Sequence, residues 1–290
     1  MRPSAHTLLI NCVIGFCKKS DSWVYPLYDL GYEPVIIEQR IPLSQEVGAV
    51  RPDVIVHSNK LVNSLVFDCK GGITVDPDQL ERYSKLISRD LLSYVDVFSR
   101  ADFTHEVCFV DLETNHRYLL QSIRNFPILV LGEHSIQKSG NFRKRELEET
   151  FRTPIILDRS KIVEPVSYYP FSELDDRGMI IKEVLRAIIT ILRNHRRQAF
   201  AVLNPATYEN QDILKTIHPL YELLSLDQRG VLMQKINGII TQLRRDYPDF
   251  AEKVRTIQSE QAGQIAITNL IKICEDIMVK EERNLRLDDF

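Results

Sequence analysis

Asp53, Asp68 and Lys70 are the residues of this chain whose types and spacing suggest chemistry. They border two short apolar runs, 53–58 (DVIVHS) and 64–70 (SLVFDCK), joined by NKLVN. So short a link between β-branched runs predicts an antiparallel hairpin. A turn centred between Lys60 and Leu61 sets Asp53 opposite Asp68. Facing Cβ atoms in such a pair lie about 4.5–5.5 Å apart. Alternation along the strand puts Lys70 on the face of Asp68 and turns Cys69 away. Two carboxylates that close repel unless a cation sits between them. A hard divalent ion, Mg²⁺ or Mn²⁺, suits that place: it takes one or two carboxylates and completes its shell with water and phosphate oxygens. Such an ion polarises a phosphoryl oxygen and acidifies water. Lys70 would orient the attacking water, stabilise charge on the phosphate, or accept a proton if its pKa is lowered.

Pro52-Asp53 followed by Asp68-Cys69-Lys70 at a strand end resembles the signature of the PD-(D/E)XK nuclease superfamily. The resemblance covers roughly residues 20–112 and implies a core of helix, three strands, helix and strand. Some branches carry a glutamine and a tyrosine four residues apart on the following helix, and Gln79 and Tyr83 stand there in this chain. By resemblance, Asp53 and Asp68 bind metal, Lys70 assists the water, and Gln79 and Tyr83 support the site or contact substrate. The family often adds a carboxylate from its first helix or strand; Asp29, Glu33 and Glu38 are the options. The implied activity is metal-dependent hydrolysis of DNA, in restriction or defence against foreign DNA, with RNA not excluded by these residues. Chance predicts about two acid-x-Lys triplets in a chain of this composition. The triplet therefore carries weight only through its strand end, the facing Pro-Asp and the helix after it.

Each neighbour also has a plain structural reading. Gln79 completes a capping box with Asp76, ahead of Pro77 at the first helical position. Tyr83 lies on the apolar face Leu80–Ile87. Gly71-Gly72 permits a tight turn. His57 reads as solvent-facing or as support for the site. The basic clusters Arg143–Arg145 and Arg193, His195, Arg196, Arg197 read first as solvated helix, with phosphate contact as the functional alternative.

The elements that must position this hairpin form a mixed α/β sheet flanked by helices, restriction-endonuclease-like by resemblance. Residues 6–17 read as a buried strand, 20–31 as a short helix stopped by Gly31, and 33–40 as a strand. A connection follows, then the hairpin and a helix over 77–92. Next come a strand over 104–112, a helix over 113–125, and strands 127–132 and 153–157. After Pro170 the pattern becomes helical. Ile181, Val184, Leu185, Ile188 and Ile191 make one apolar face, and further helices are expected near 208–224, 227–246, 248–260 and 262–283. The organisation is thus 1–170, a nuclease-like domain, and 171–290, an all-α domain for oligomerisation or for binding nucleic acid or a partner.

The bulk numbers restrict the class. A chain of 290 residues with 44% hydrophobic and 27% charged residues is long enough for two packed units and is neither disordered nor fibrous. A net charge of −3 argues against a coat of positive charge, though not against a local basic groove. No apolar run approaches the length of a membrane span, and Asn11 interrupts the N-terminal run where a signal peptide would be apolar. Five scattered cysteines without a C-x-x-C indicate a reducing, cytoplasmic compartment. Two other classes compete with the enzyme: a catalytically inactive nuclease-fold subunit that binds nucleic acid or organises an assembly, and an oligomerising scaffold.

Overall fold

The computed structural model describes residues 3–45, 48–95, 103–157, 165–198, 209–259 and 264–288. Its first element, α1 (Ala5–Phe16), is a helix, where the sequence suggested a strand. Ser4 caps it by accepting from the Thr7 N–H. Leu9 through Phe16 are all buried. A helix buried on every side shows neither a polar stripe nor alternation, so its period cannot be read. Asn11 is part of the reason it tolerates that burial. Its amide donates to the Tyr169 carbonyl at 2.8 Å and its carbonyl accepts from the Tyr169 N–H at 2.8 Å.

Residues 20–31 form turns instead of the expected helix. The Ser20 hydroxyl accepts from the Ser22 N–H, a local bond that competes with helix initiation. Gly31 has a φ of 75° and ends the turn. β1 (Tyr32–Ile37) follows, then β2 (Ile41–Pro42) and β3 (Ala49–Val50), a small hairpin in what read as a plain connection. β4 (Val54–Ser58) and β5 (Asn63–Lys70) pair antiparallel, with Val54 facing Phe67 and Ser58 facing Asn63. That is the register deduced from the turn.

α2 (Pro77–Lys85) stops short of the expected 92 because Leu86 is extended, and α3 (Ser88–Leu91) restarts the chain. The break lets Leu86 and Leu91 both enter the same core. β6 (Thr104–Leu112) runs parallel to β5. α4 (His116–Ser122) is shorter than expected and leads to β7 (Ile128–Leu131), parallel to β6. β8 (Ser135–Ser139) and α5 (Arg145–Thr150) lie in a stretch that gave only a polar pattern, and β9 (Ile155–Ile156) closes the sheet. The result is a seven-stranded mixed sheet in the order β1-β4-β5-β6-β7-β8-β9. α1 packs against β4, β5 and β6.

The chain divides into two compact units. One comprises Ser4–Tyr169 and Glu222–Gln228; the other comprises Met1–Pro3, Pro170–Tyr221 and Arg229–Phe290. Residues 222–228, on the helical side of the expected boundary, thus belong with the sheet. Leu224 forms a parallel bridge with Ile37, and the Ser225 N–H donates to the Ile37 carbonyl. The other unit contains α6 (Arg177–Gln198), α7 (Asn210–Ile217), α8 (Leu226–Asp246), α9 (Pro248–Ser259) and α10 (Gln264–Asp288); the first residues of α8 fall in the sheet unit. α6 packs against α7 and α10 through a face that includes Ile181, Val184, Leu185 and Ile188. The side chains of Arg196 and Arg197 lie outside the described set. Among the described residues no helix is long and apolar enough to cross a membrane.

Asn11→Ala removes both bonds to the Tyr169 backbone and leaves a buried N–H and C=O unpaired. It should cost about 2–4 kcal/mol of unfolding free energy, read from urea denaturation.

Candidate active site

The site forms where β4 begins and β5 ends. The Asp53 N–H donates to the Phe67 carbonyl, and Asp53 Oδ2 accepts from the Cys69 N–H at 2.5 Å. The carboxylate thus caps the end of the ladder, held by the backbone of the strand it faces. Asp53 and Asp68 are buried, 8% and 2% exposed. Asp68 Oδ1 is paired with Lys70 Nζ at 2.5 Å. The Gln79 amide donates to Asp68 Oδ2 at 2.8 Å, while its carbonyl accepts from Lys70 Nζ at 2.8 Å. Gln79 therefore does not complete a capping box. Asp76 caps α2 by itself, accepting from the Asp78 N–H.

Burial and the neighbouring Asp53 charge raise the Asp68 pKa well above the ordinary carboxylate range, against the lowering effect of Lys70. Tyr83 is 1% exposed and stacks edge-on against Phe109. It packs in the core, as the plain reading had it. Its hydroxyl is buried beside the Asp68 carboxylate, toward which it acts as a donor. Desolvation and the Asp68 charge push its pKa up.

Of the three upstream acids, only Glu38 reaches this centre. Asp29 and Glu33 are exposed, whereas Glu38 is 5% exposed. Glu38 has a φ of 57°, in the left-handed region that costs a side-chain-bearing residue about 1–2 kcal/mol. Its N–H donates to the Asp53 carbonyl, its own carbonyl accepts from Ser225 Oγ at 2.6 Å, and its carboxylate meets Arg51 at 3.4 Å.

The sequence reading missed His6. This residue of the first turn of α1 places Nε2 3.0 Å from Asp53 Oδ1. His6, Glu38 and Asp53 each offer a ligand atom within 4.8 Å of the others. That group joins two carboxylates and one imidazole, and Asp68 is not a member of it. Gly71 explains why α1 can approach. A Cβ there would stand 2.8 Å from the His6 backbone nitrogen, so the glycine serves helix packing beyond its turn. The signal that would have found His6 is a helical reading of residues 5–16 combined with that glycine.

His57 is not solvent-facing. It is 4% exposed and bonds Ser64 and Asn59 within the hairpin. Asp111 closes β6 beside Lys70, its register partner. It is fully buried, and burial pushes its pKa up to about 6.

Residues 5–161 match the model of the MJECL32 domain, and the chain belongs to that family. The match includes every residue of the site described above. Searches of curated proteins and of solved structures return no match.

Two outcomes follow from this geometry. A carboxylate whose folded pKa is raised contributes stability that is fully present below its ordinary pKa and is lost as pH rises through the elevated one. Asp68→Asn mimics the neutral form, so in metal-free protein it should add about 1–3 kcal/mol at pH 8 and almost nothing at pH 4, read by thermal melting. Gly71→Ala should cost about 1–3 kcal/mol through the clash with α1. By moving His6 off Asp53 it should also change the His6 imidazole resonances in NMR spectra, while a Gly72→Ala control, with open space around its Cβ, leaves them unchanged.

Proposed function

We propose that the chain is a metal-dependent nuclease hydrolysing phosphodiester bonds of DNA, in the manner of the PD-(D/E)XK enzymes its hairpin resembles. The observation that carries this reading is the single network joining Asp68, Lys70 and Gln79 at the end of β5, with Asp53 across the hairpin. An ordinary hairpin has no reason to bury two repelling carboxylates beside a lysine at one strand end.

In this reading Asp53 and Asp68, with Glu38 and His6 added by the fold, hold Mg²⁺ or Mn²⁺. The bound ion supplies Lewis acidity toward a phosphate oxygen and an acidified water. Lys70 offers its donors to the water or the phosphate. Gln79 fixes the direction of Lys70 through its carbonyl and of Asp68 through its amide. Tyr83 supports Asp68 from the core side, its buried hydroxyl acting as a donor toward that carboxylate. The opposed pKa pressures on Asp68 fit a site completed by a cation: the carboxylate is uncomfortable charged until positive charge arrives.

A role in defence against foreign DNA follows from the resemblance alone. A cytoplasmic location is supported by the five buried, unpaired cysteines, which a reducing compartment preserves. The helical unit is the proposed place for oligomerisation or partner binding.

The test is cleavage of supercoiled plasmid and of single-stranded DNA by the full chain with Mg²⁺ or Mn²⁺. Cleavage should require the metal and fall at least about 100-fold in Lys70→Ala and Asp53→Asn. Failure of the wild type to cut any DNA or RNA with either metal would favour the inactive, nucleic-acid-binding subunit. Equal cleavage by Lys70→Ala would place the chemistry elsewhere.

A further inference from the structure

Both oxygens of Asp68 are occupied, Oδ1 by Lys70 and Oδ2 by Gln79. A divalent cation that takes Asp68 through Oδ1 must therefore share that oxygen with the ammonium 2.5 Å from it or displace it. Sharing sets two cations against each other at contact distance in a buried place, where Coulomb repulsion is weakly screened. Displacement needs another acceptor for a lysine that is itself mostly buried.

The neighbouring strand carries one. In the parallel pairing of β5 with β6, Asp68 faces Phe109 and Lys70 faces Asp111. Paired residues of adjacent strands share a sheet face, and their strands lie about 4.8 Å apart. Lys70 Nζ already lies on that face, 5.6 Å from the centre of the Phe109 ring. Asp111 is fully buried. Its Oδ1 accepts only a long bond from Asn115, at 3.4 Å, and its Oδ2 is buried with no partner. A carboxylate oxygen in that condition is costly, and the cost is relieved by a cationic donor. The four-carbon stem of Lys70 can carry its ammonium from the residue behind it on β5 to the residue beside it on β6.

We propose that Asp111 is a positioning residue that receives the Lys70 ammonium when a divalent cation takes Asp68. The inference rests on the metal site proposed above. Lys70 pairs with Asp68 in the metal-free protein and with Asp111 in the loaded one. Asp111 thereby holds Lys70 close to the reacting phosphate without competing for the metal's carboxylate.

The test is Mn²⁺ binding to the full chain, with free Mn²⁺ counted by electron paramagnetic resonance. Asp111→Asn keeps the shape of the side chain and removes the acceptor charge. Lys70 then has nowhere to go, and Mn²⁺ affinity should fall about tenfold. In a Lys70→Met background there is no ammonium to rehouse, so adding Asp111→Asn should change affinity by less than about twofold. An Asp111 acting only on local packing would weaken binding equally in both backgrounds, and that result overturns the proposal. So does unchanged affinity in Asp111→Asn alone.

A crystal structure of the wild type with Mn²⁺ gives the answer without a variant: Lys70 Nζ should lie within about 3.2 Å of Asp111 Oδ2. Lys70 still on Asp68 Oδ1 beside the metal refutes the exchange. DNA cleavage with Mn²⁺ affinity untouched by Asp111→Asn would sink the exchange and leave the nuclease reading standing. The tenfold loss without cleavage of any nucleic acid would do the reverse. A wild type that binds no Mn²⁺ overturns both.

Discussion

The repulsion between Asp53 and Asp68 is the constraint on which the rest of the structure depends. Antiparallel register brings these carboxylates to the same end of one hairpin, and burial denies them water. Neither could stay there unsupported. Each is held by a different device. Asp53 takes the N–H of Cys69 and the ring of His6, while Asp68 takes the ammonium of Lys70 and the amide of Gln79. The support is incomplete, because the Asp68 pKa stays raised. A fold that keeps a carboxylate in that condition gives up stability as pH rises through the raised pKa.

The surrounding elements follow from that need. α1 brings His6 to Asp53, and it approaches only because residue 71 has no Cβ. Glu38, directly after β1, takes a left-handed conformation that aims an acid back toward Asp53, and residues 222–228 secure that conformation. Ser225 bonds the backbone of Ile37 and Glu38, and Gln228 bonds Arg51, which itself meets Glu38. Strain at Glu38 is thus offset by contacts from a segment far along the chain. The parallel strands β5 and β6 end side by side, and the start of α2 stands over them. In open α/β sheets the carboxyl ends of such strands are where ligands bind.

The sequence made the mixed α/β class and the hairpin legible for definite reasons. Turn length sets register, and register sets which side chains face each other. Asp53, Asp68, Lys70 and Gln79 were within reach of that reasoning, because local spacing alone relates them. His6 and residues 222–228 were not. His6 depends on a helix whose all-round burial erased its period, and 222–228 rejoin the sheet from beyond a composition change that reads as a boundary. Asp111 was hidden for another reason. Its relation to Lys70 exists only through the parallel pairing of strands separated by two helices, and no local pattern encodes that pairing. The breaks at 86 and at 20–31 were missed because tertiary burial of Leu86 and Leu91, and a serine-closed turn, override helical propensity.

The identity of residue 79 shows how narrowly the network is specified. Asp68 requires a donor on Oδ2, and Lys70 requires an acceptor beside it. One side chain meets both, so it must carry a donor and an acceptor on a stem long enough to reach from the first turn of α2 to the end of β5. Glutamate would add another negative charge to carboxylates that already repel. Lysine or arginine would supply the donor but repel Lys70. Asparagine has the right group and falls short by one methylene. The amide of glutamine therefore joins the acid to the base without changing the charge of the site. Asp68 and Lys70 are then tied to one rigid group on α2, and a change in either is felt by the other.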